Sequence, residues 1–165
     1  MPEKETVERA RNARRKGKSA STQAGAFVRE EMHHVRKGRH GARSTKQAIA
    51  IGLSKARRAG VRLPPPEKGT VSEKTRRSAK RAYQAGQRRK SKPSRRRSRA
   101  TERALKRERG GAASRKALSR QARSAARKRT SAERSASARQ AARTKGRRGR
   151  SAAARKAART RRRHG

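Results

Sequence analysis

The sequence predicts a mostly intrinsically disordered chain with α-helical segments: a small N-terminal helical hairpin followed by a long, basic, Ala/Arg/Ser-rich tail. Three observations lead there. Of 165 residues, 55 are Lys or Arg and 10 are acidic, for a formal charge of +45. Leu, Ile, Val and Phe number only 12, about 7% of the chain, and chains below roughly 20% with high net charge fall in the disordered class. The third observation is an asymmetry about Pro64-Pro65-Pro66: residues 1–66 hold 17 basic and 5 acidic side chains (net +12), residues 67–165 hold 38 and 5 (net +33).

Large apolar residues run opposite to the charge. Phe27, Val28, Met32, Val35, Ile49, Ile51, Leu53, Val61 and Leu63 precede the prolines, and only Val71, Tyr83, Leu105 and Leu118 follow them. The chain therefore divides into a flexible basic N-terminus (residues 1–20), a helical hairpin (21–63), a Pro-rich linker (64–69) and a disordered or conditionally helical polybasic tail (70–165). The linker is expected to form a stiff polyproline II spacer. No window approaches the ~18 consecutive apolar residues of a membrane span. Residues 1–18 lack the apolar segment of a secretory signal, and Glu3, Glu5 and Glu8 argue against an organellar transit peptide. The absence of Cys removes disulfides, a thiol nucleophile and thiolate metal sites.

Two helices make up the hairpin. In the first, Val28, Met32 and Val35 recur at helical spacing with Phe27 beside them, and Ser21 or Thr22 is the expected cap. In the second, Ser44 stands as N-cap with Gln47 three residues on, a capping-box pattern. Ile49, Leu53 and Ala56 then form the apolar stripe. Gly60 and Val61 fit a left-handed Schellman ending. A core of some eight side chains is marginal alone, which leaves room for self-association through the hairpin.

Glu31-Met32-His33, followed by Ser44-Thr45-Lys46-Gln47-Ala48-Ile49-Ala50-Ile51-Gly52-Leu53-Ser54-Lys55-Ala56, resembles a family of small basic bacterial proteins catalogued as a domain of unknown function. The resemblance covers residues 25–60. It implies a bacterial source and nucleic-acid binding, and it supplies no catalytic residues. In composition the tail is similar to linker-histone and bacterial nucleoid-protein tails, but it is rich in Arg where those are rich in Lys.

Within the tail, Val71 to Lys90 reads as a further helix, with Thr70 and Glu73 in capping-box positions, interrupted afterwards by Pro93 and Arg95-Arg96-Arg97. From Ala112 to Lys145 there is neither Gly nor Pro, and Lys116, Arg120, Arg123, Arg127 and Arg134 recur at helical spacing. Like charges at that spacing oppose helix in free solution. The tail is therefore expected to be low-complexity coil that gains helix on phosphates. Gly110-Gly111, Gly146 and Gly149 divide it.

The charge carries the functional expectation. Duplex DNA presents about one charge per 1.7 Å of axis, so +45 matches roughly 75 Å, or about 22 base pairs. Counterion release from so many phosphates is sequence-independent and salt-sensitive. The expected function is non-sequence-specific DNA binding by a nucleoid-type architectural protein, cytoplasmic and nucleoid-associated. RNA binding or ribosome association is the alternative. The expected contacts are Arg36, Lys37, Arg39, His40, Arg43, Lys46, Lys55, Arg57 and Arg58 in the hairpin, where Arg57 and Arg58 also complement the helix dipole. In the tail they are Arg95, Arg96, Arg97, Lys116, Arg120, Arg123, Arg127, Arg134, Arg147, Arg148, Arg161, Arg162 and Arg163.

Competing readings are weaker. Gly38-Arg39-His40-Gly41 has the form of a KH-type phosphate loop, yet the sheet such a domain needs has no strand pattern here. His33, His34 and His40 lie near Glu30 and Glu31, but without Cys or Asp and amid cations they read as facing solvent or phosphate. No metal and no cofactor are expected. With only Phe27 and Tyr83 as aromatics, duplex backbone binding is favoured over base stacking. A membrane-surface role lacks the aromatic and Leu face it requires. Ser78, Ser91, Ser94, Ser98 and Ser124 among arginines would suit a basophilic kinase, a match that composition alone produces. No catalytic constellation is present, so the chain is not expected to be an enzyme.

Overall fold

Helix dominates the chain. The computed structural model describes residues 2–88, 94–108 and 110–164. Among these, seven α-helices follow in order: α1 (Lys4–Arg15), α2 (Ala20–Arg36), α3 (Thr45–Arg58), α4 (Glu73–Gln87), α5 (Arg95–Lys106), α6 (Arg115–Arg127) and α7 (Ser131–His164), with one 3-10 turn at Gly110–Ala113. This corrects the expectation of a mostly disordered chain with a low-complexity coil tail. Arg and Ala rank among the strongest helix formers, and three of the tail's helices are capped by side chains: Ser72 Oγ accepts from Thr75 N–H at 3.3 Å and Ser114 Oγ from Ala117 N–H at 3.2 Å. At the start of α7, Thr130 Oγ1 accepts from Glu133 N–H (3.2 Å) while Glu133 Oε2 accepts from Thr130 N–H (2.7 Å), a reciprocal capping box. Propensity and caps outweigh the repulsion along one helix face.

The chain forms two compact units, Met1–Gln121 and Ala122–Gly165. In the first, α2 and α3 make the hairpin. Ser19, two residues earlier than expected, caps α2 by accepting from Thr22 N–H. Ser44 caps α3 as expected, accepting from Gln47 N–H, but the Gln47 side chain reaches past the cap to Arg43 N–H at 2.7 Å. Gly60 takes φ +90°, its N–H donating to Arg57 O and that of Val61 to Ala56 O, the full Schellman pair. Gly17 and Gly38 end α1 and α2 with the same pair of bonds.

Residues 4–15, expected to be flexible, form α1 on α2. Their packing stripe is small: Thr6 and Ala10 are buried, with Val7 beside them. Two apolar clusters flank the hairpin. One joins Ala10, Ala24, Phe27, Ala56 and Val61, with Val7, Leu53 and Leu63 against it. The other joins Met32, Val35, Ala42, Ala48, Ala112 and Ala113, with Val28, Ile49 and Leu118 against it. Phe27 thus faces the opposite cluster from Val28, Met32 and Val35, instead of sharing their stripe.

Much of this core is Ala, and it closes because the helices approach closely. A Cβ on Gly52 would sit 2.7 Å from Val28 Cα, and one on Gly86 would overlap the Arg57 carbonyl oxygen. The glycines therefore set the α2–α3 and α3–α4 crossings. Counting large side chains underestimates such a core, since backbone contact replaces side-chain area. The chain also returns to the hairpin from the end of α5 onward: Gly41 N–H donates to Leu105 O (3.0 Å) and Thr45 Oγ1 to Ala112 O (2.6 Å).

In the second unit α7 is kinked at Gly146 (φ +63°), one of the expected glycine breaks, whereas Gly149 continues as helix. Arg95–Arg97, expected to interrupt structure, form the first turn of α5. The expected breaker Pro93, the end of the expected helix at Lys90, and Ser91 lie outside the described residues. No helix is long and apolar enough to cross a membrane among the described residues.

Candidate nucleic-acid interface

The structure sorts the expected contact residues into those committed inside the protein and those left at the surface. The hairpin holds the committed ones. Arg57, near the C-terminus of α3, is 6% exposed. Its Nε donates to Leu63 O and its NH2 nitrogen to Pro64 O, both at 3.1 Å, so it ties the proline run back onto α3. Burial lowers its pKa from the usual arginine value. Lys55 Nζ lies 2.6 Å from Oε2 of the fully buried Glu31. His40 sets Nε2 3.1 Å from Glu31 Oε1 and Nδ1 2.9 Å from Gly41 O. Arg39 NH1 donates to Glu3 Oε1 at 2.7 Å and faces His34 Nε2 at 3.0 Å. The hydrogen bonds from His34 and then Arg39 hold the Glu3 carboxyl below its ordinary pKa. Arg36, otherwise exposed, donates from Nε to Ala113 O at 2.9 Å.

His34 is buried and His40 half-buried against glutamates, so the reading of both as facing solvent or phosphate is corrected; His33 is exposed. The physical reason is geometric. His34 follows Glu30 by one helical turn, and the short loop after Gly38 folds His40 back over Glu31.

Of the expected hairpin contacts, Lys37, Arg43, Lys46 and Arg58 point outward, and no carboxylate among the described residues pairs with them. Lys37 sits at the C-cap of α2, Arg43 and Lys46 flank the start of α3, and Arg58 is its last residue. In the second half of the chain every expected contact is exposed: Arg95, Arg96 and Arg97 on α5, Lys116, Arg120, Arg123 and Arg127 on α6, and Arg134, Arg147, Arg148, Arg161, Arg162 and Arg163 on α7. The three arginines opening α5 stand at the positive end of a helix dipole, where an anion is the favourable neighbour. At the far end of α5, Lys106 pairs with Glu102 at 3.0 Å, which keeps that carboxyl below its ordinary pKa.

A further cationic surface was not among the expected contacts. Lys74, Arg77, Lys80, Arg81 and Gln84 line a cavity of about 480 Å³ along α4. The opposite side of the helix, Ala79 and Ala82, is buried. The signal was present in the spacing: Lys74, Arg77, Arg81 and Gln84 share one helical face while alanines take the other. Small residues at that period read as low complexity beside so much arginine.

Neither aromatic side chain offers a stacking platform for bases. Phe27 is fully buried and Tyr83 half-buried on α4.

Residues 15–68, from the end of α1 to the turn before α4, match the model of a family described as a family of unknown function (DUF6496). The resemblance read over residues 25–60 falls within that segment. No curated protein and no solved structure matches the chain.

Proposed function

We propose that the protein binds duplex DNA through the phosphate backbone, independently of sequence, as an architectural protein of the nucleoid type. The observation that carries this reading is the charge spacing on α7. Thirteen Lys and Arg against one acid, Glu133, lie on its 34 residues. At about 1.5 Å rise per residue the helix contour is roughly 51 Å, or about 4 Å per cation. Phosphates follow one another at about 3.4 Å along a strand, so the helix carries positive charge at nearly the linear density of a DNA strand's negative charge. The cationic face of α4 and the outward residues of the hairpin add local contacts of the same chemistry.

Arginine suits this task because its planar fork engages phosphate oxygens in pairs and stays charged at any physiological pH. Seated phosphates also cancel the like-charge repulsion along α6 and α7, so binding and helix stability reinforce each other. With both aromatics turned from solvent or half-covered, base stacking contributes little, which favours backbone contact over the reading of single strands.

Fluorescence anisotropy with unrelated duplexes of equal length, over a range of salt, tests the reading. Affinities should agree within a small factor, and log K should fall by about 0.9 per neutralised phosphate for each decade of salt. A preference of more than about a thousandfold for one sequence, the range of specific binders, would refute it. Tighter binding to an RNA duplex of equal length would move the activity to RNA.

A further inference from the structure

Titratable side chains meet at one point of the first unit, independently of the DNA-binding surfaces. Glu30, Glu31 and His34 come from α2, His40 from the loop that follows, and Glu3 from the residue preceding α1. Glu31 is fully buried and Glu30 nearly so. A buried carboxylate must be paired or ligated. Yet neither oxygen of Glu31, nor Oε2 of Glu30, accepts an aligned hydrogen bond, even though Lys55 Nζ is close to Glu31 Oε2.

The other Glu31 oxygen, Oε1, faces His40 Nε2 at 3.1 Å. His40 Nδ1 is 2.9 Å from the Gly41 carbonyl oxygen, which only accepts, so Nδ1 carries the ring proton. In the neutral imidazole Nε2 then presents its lone pair to a carboxylate oxygen, and two acceptors at this distance need a cation between them. His34 Nε2 lies 3.0 Å from both Glu3 Oε1 and the Arg39 guanidinium, between an acceptor and a donor. The two rings stand edge to face with centroids 5.9 Å apart, and ligand atoms of Glu31, His34 and His40 all lie within 4.8 Å of one another. Three carboxylates (Glu3, Glu30, Glu31) face two permanent cations (Arg39, Lys55), which leaves the cluster one positive charge short.

We propose that Glu31, His34 and His40 form a binding site for a divalent transition-metal ion of the zinc class. Two imidazole nitrogens and one carboxylate oxygen are the donors that such ions take at about 2.0–2.2 Å, whereas magnesium and calcium take oxygen sets. Gly41 supports the ligand from behind, since its carbonyl fixes the His40 tautomer and aims Nε2. Lys55 holds Oε2 of Glu31, so the carboxylate ligates through Oε1 alone. On a tetrahedral ion the ligand atoms stand roughly 3.3–3.6 Å apart. Glu31 and His40 already approach that separation, and His34 joins them by exchanging its contacts with Glu3 and Arg39, whose side chains are 46% and 54% exposed, for the metal.

The test uses the full chain, stripped with a chelator and titrated with zinc chloride by calorimetry and by thermal melting, with magnesium chloride as control. One zinc per chain and a raised Tm are expected, with no response to magnesium. Cobalt(II) should give the visible absorption of a four-coordinate nitrogen–oxygen site. His40→Gln and His34→Gln, which keep Glu31 and its lysine partner, should each weaken zinc binding at least about tenfold. His33→Gln, at an exposed neighbour, should leave it unchanged. No zinc-dependent change in either readout would overturn the proposal and assign the bridging charge to a second proton on His40. Equal loss in His33→Gln would overturn it as adventitious surface binding.

Discussion

Replacing Arg57 by Ala tests whether the hairpin's cations divide as the structure divides them. Arg57 is 6% exposed and donates two bonds at 3.1 Å, to the carbonyl oxygens of Leu63 and Pro64. Bonds from a charged donor contribute about 1.5–3 kcal/mol each, less when the acceptors left behind regain water, as carbonyls at the start of a surface linker can. The loss should be about 2–4 kcal/mol, or roughly 8–16 °C in Tm for a unit of this size. Thermal melting of the full chain by circular dichroism at low salt measures it. Arg57→Lys should recover only part of the loss, because one ammonium does not reproduce the two-pronged fork. Arg58→Ala, next in sequence but exposed, should melt with the parent and weaken DNA binding instead. An Arg57→Ala protein that melts with the parent and loses DNA affinity as Arg58→Ala does would refute the assignment of Arg57 to the linker.

Gly52→Ala and Gly86→Ala should each destabilise by about 1–3 kcal/mol despite the gain of roughly 1 kcal/mol in helix propensity, since their Cβ atoms meet the backbone of Val28 and of Arg57; unchanged denaturant midpoints would show that the crossings have slack. Phe27→Ala, which empties a fully buried site, should cost about 3–5 kcal/mol by the same titration, and a loss under about 1 kcal/mol would contradict its place in the core. Removing the Thr130–Glu133 capping box with Thr130→Ala should cost about 1 kcal/mol and speed amide exchange in the first turn of α7, and unchanged exchange there would count against the cap. Exchanging Lys74, Arg77 and Arg81 together for Ala should leave the melting temperature near the parent's and reduce the salt slope of DNA binding by about 0.9 for each phosphate no longer neutralised; an unchanged slope would remove α4 from the interface.

The hairpin was legible because its signals are local. Ser44 followed by Gln47, and Gly60 followed by Val61, specify where α3 begins and ends through bonds between near neighbours. The packing of α1 and the helical state of the second half were not legible from the same count of large apolar residues. Thr6, Val7 and Ala10 bury little area individually, and their stripe works only because α2 offers Ala24 and Phe27 opposite. Ala112 and Ala113 likewise look like low-complexity residues, yet they close the second cluster against Met32 and Val35. Thr130 and Glu133 were a readable cap that the surrounding arginines obscured.

Sorting the cations needed the fold because identical residue types within one hairpin take opposite fates. Arg57 turns inward and Arg58 outward, Arg39 pairs with Glu3 while Arg43 faces water, and Lys55 meets a buried carboxylate while Lys46 does not. What decides each case is the position of a distant acceptor, and no spacing rule within one helix contains that. The glutamates follow a related division. Glu31 is buried and takes its cations from other elements, and the buried Glu30 accepts from the Glu3 N–H, whereas Glu73, Glu102 and Glu133 bond within their own helices or caps. Internal charge pairing is therefore concentrated where α1, α2, the loop and α3 meet, and it consumes part of the hairpin's positive charge. Beyond α3 almost no positive charge is consumed, which is why the outward cations of α4, α6 and α7 should dominate the salt dependence of binding while the hairpin dominates the stability of the first unit.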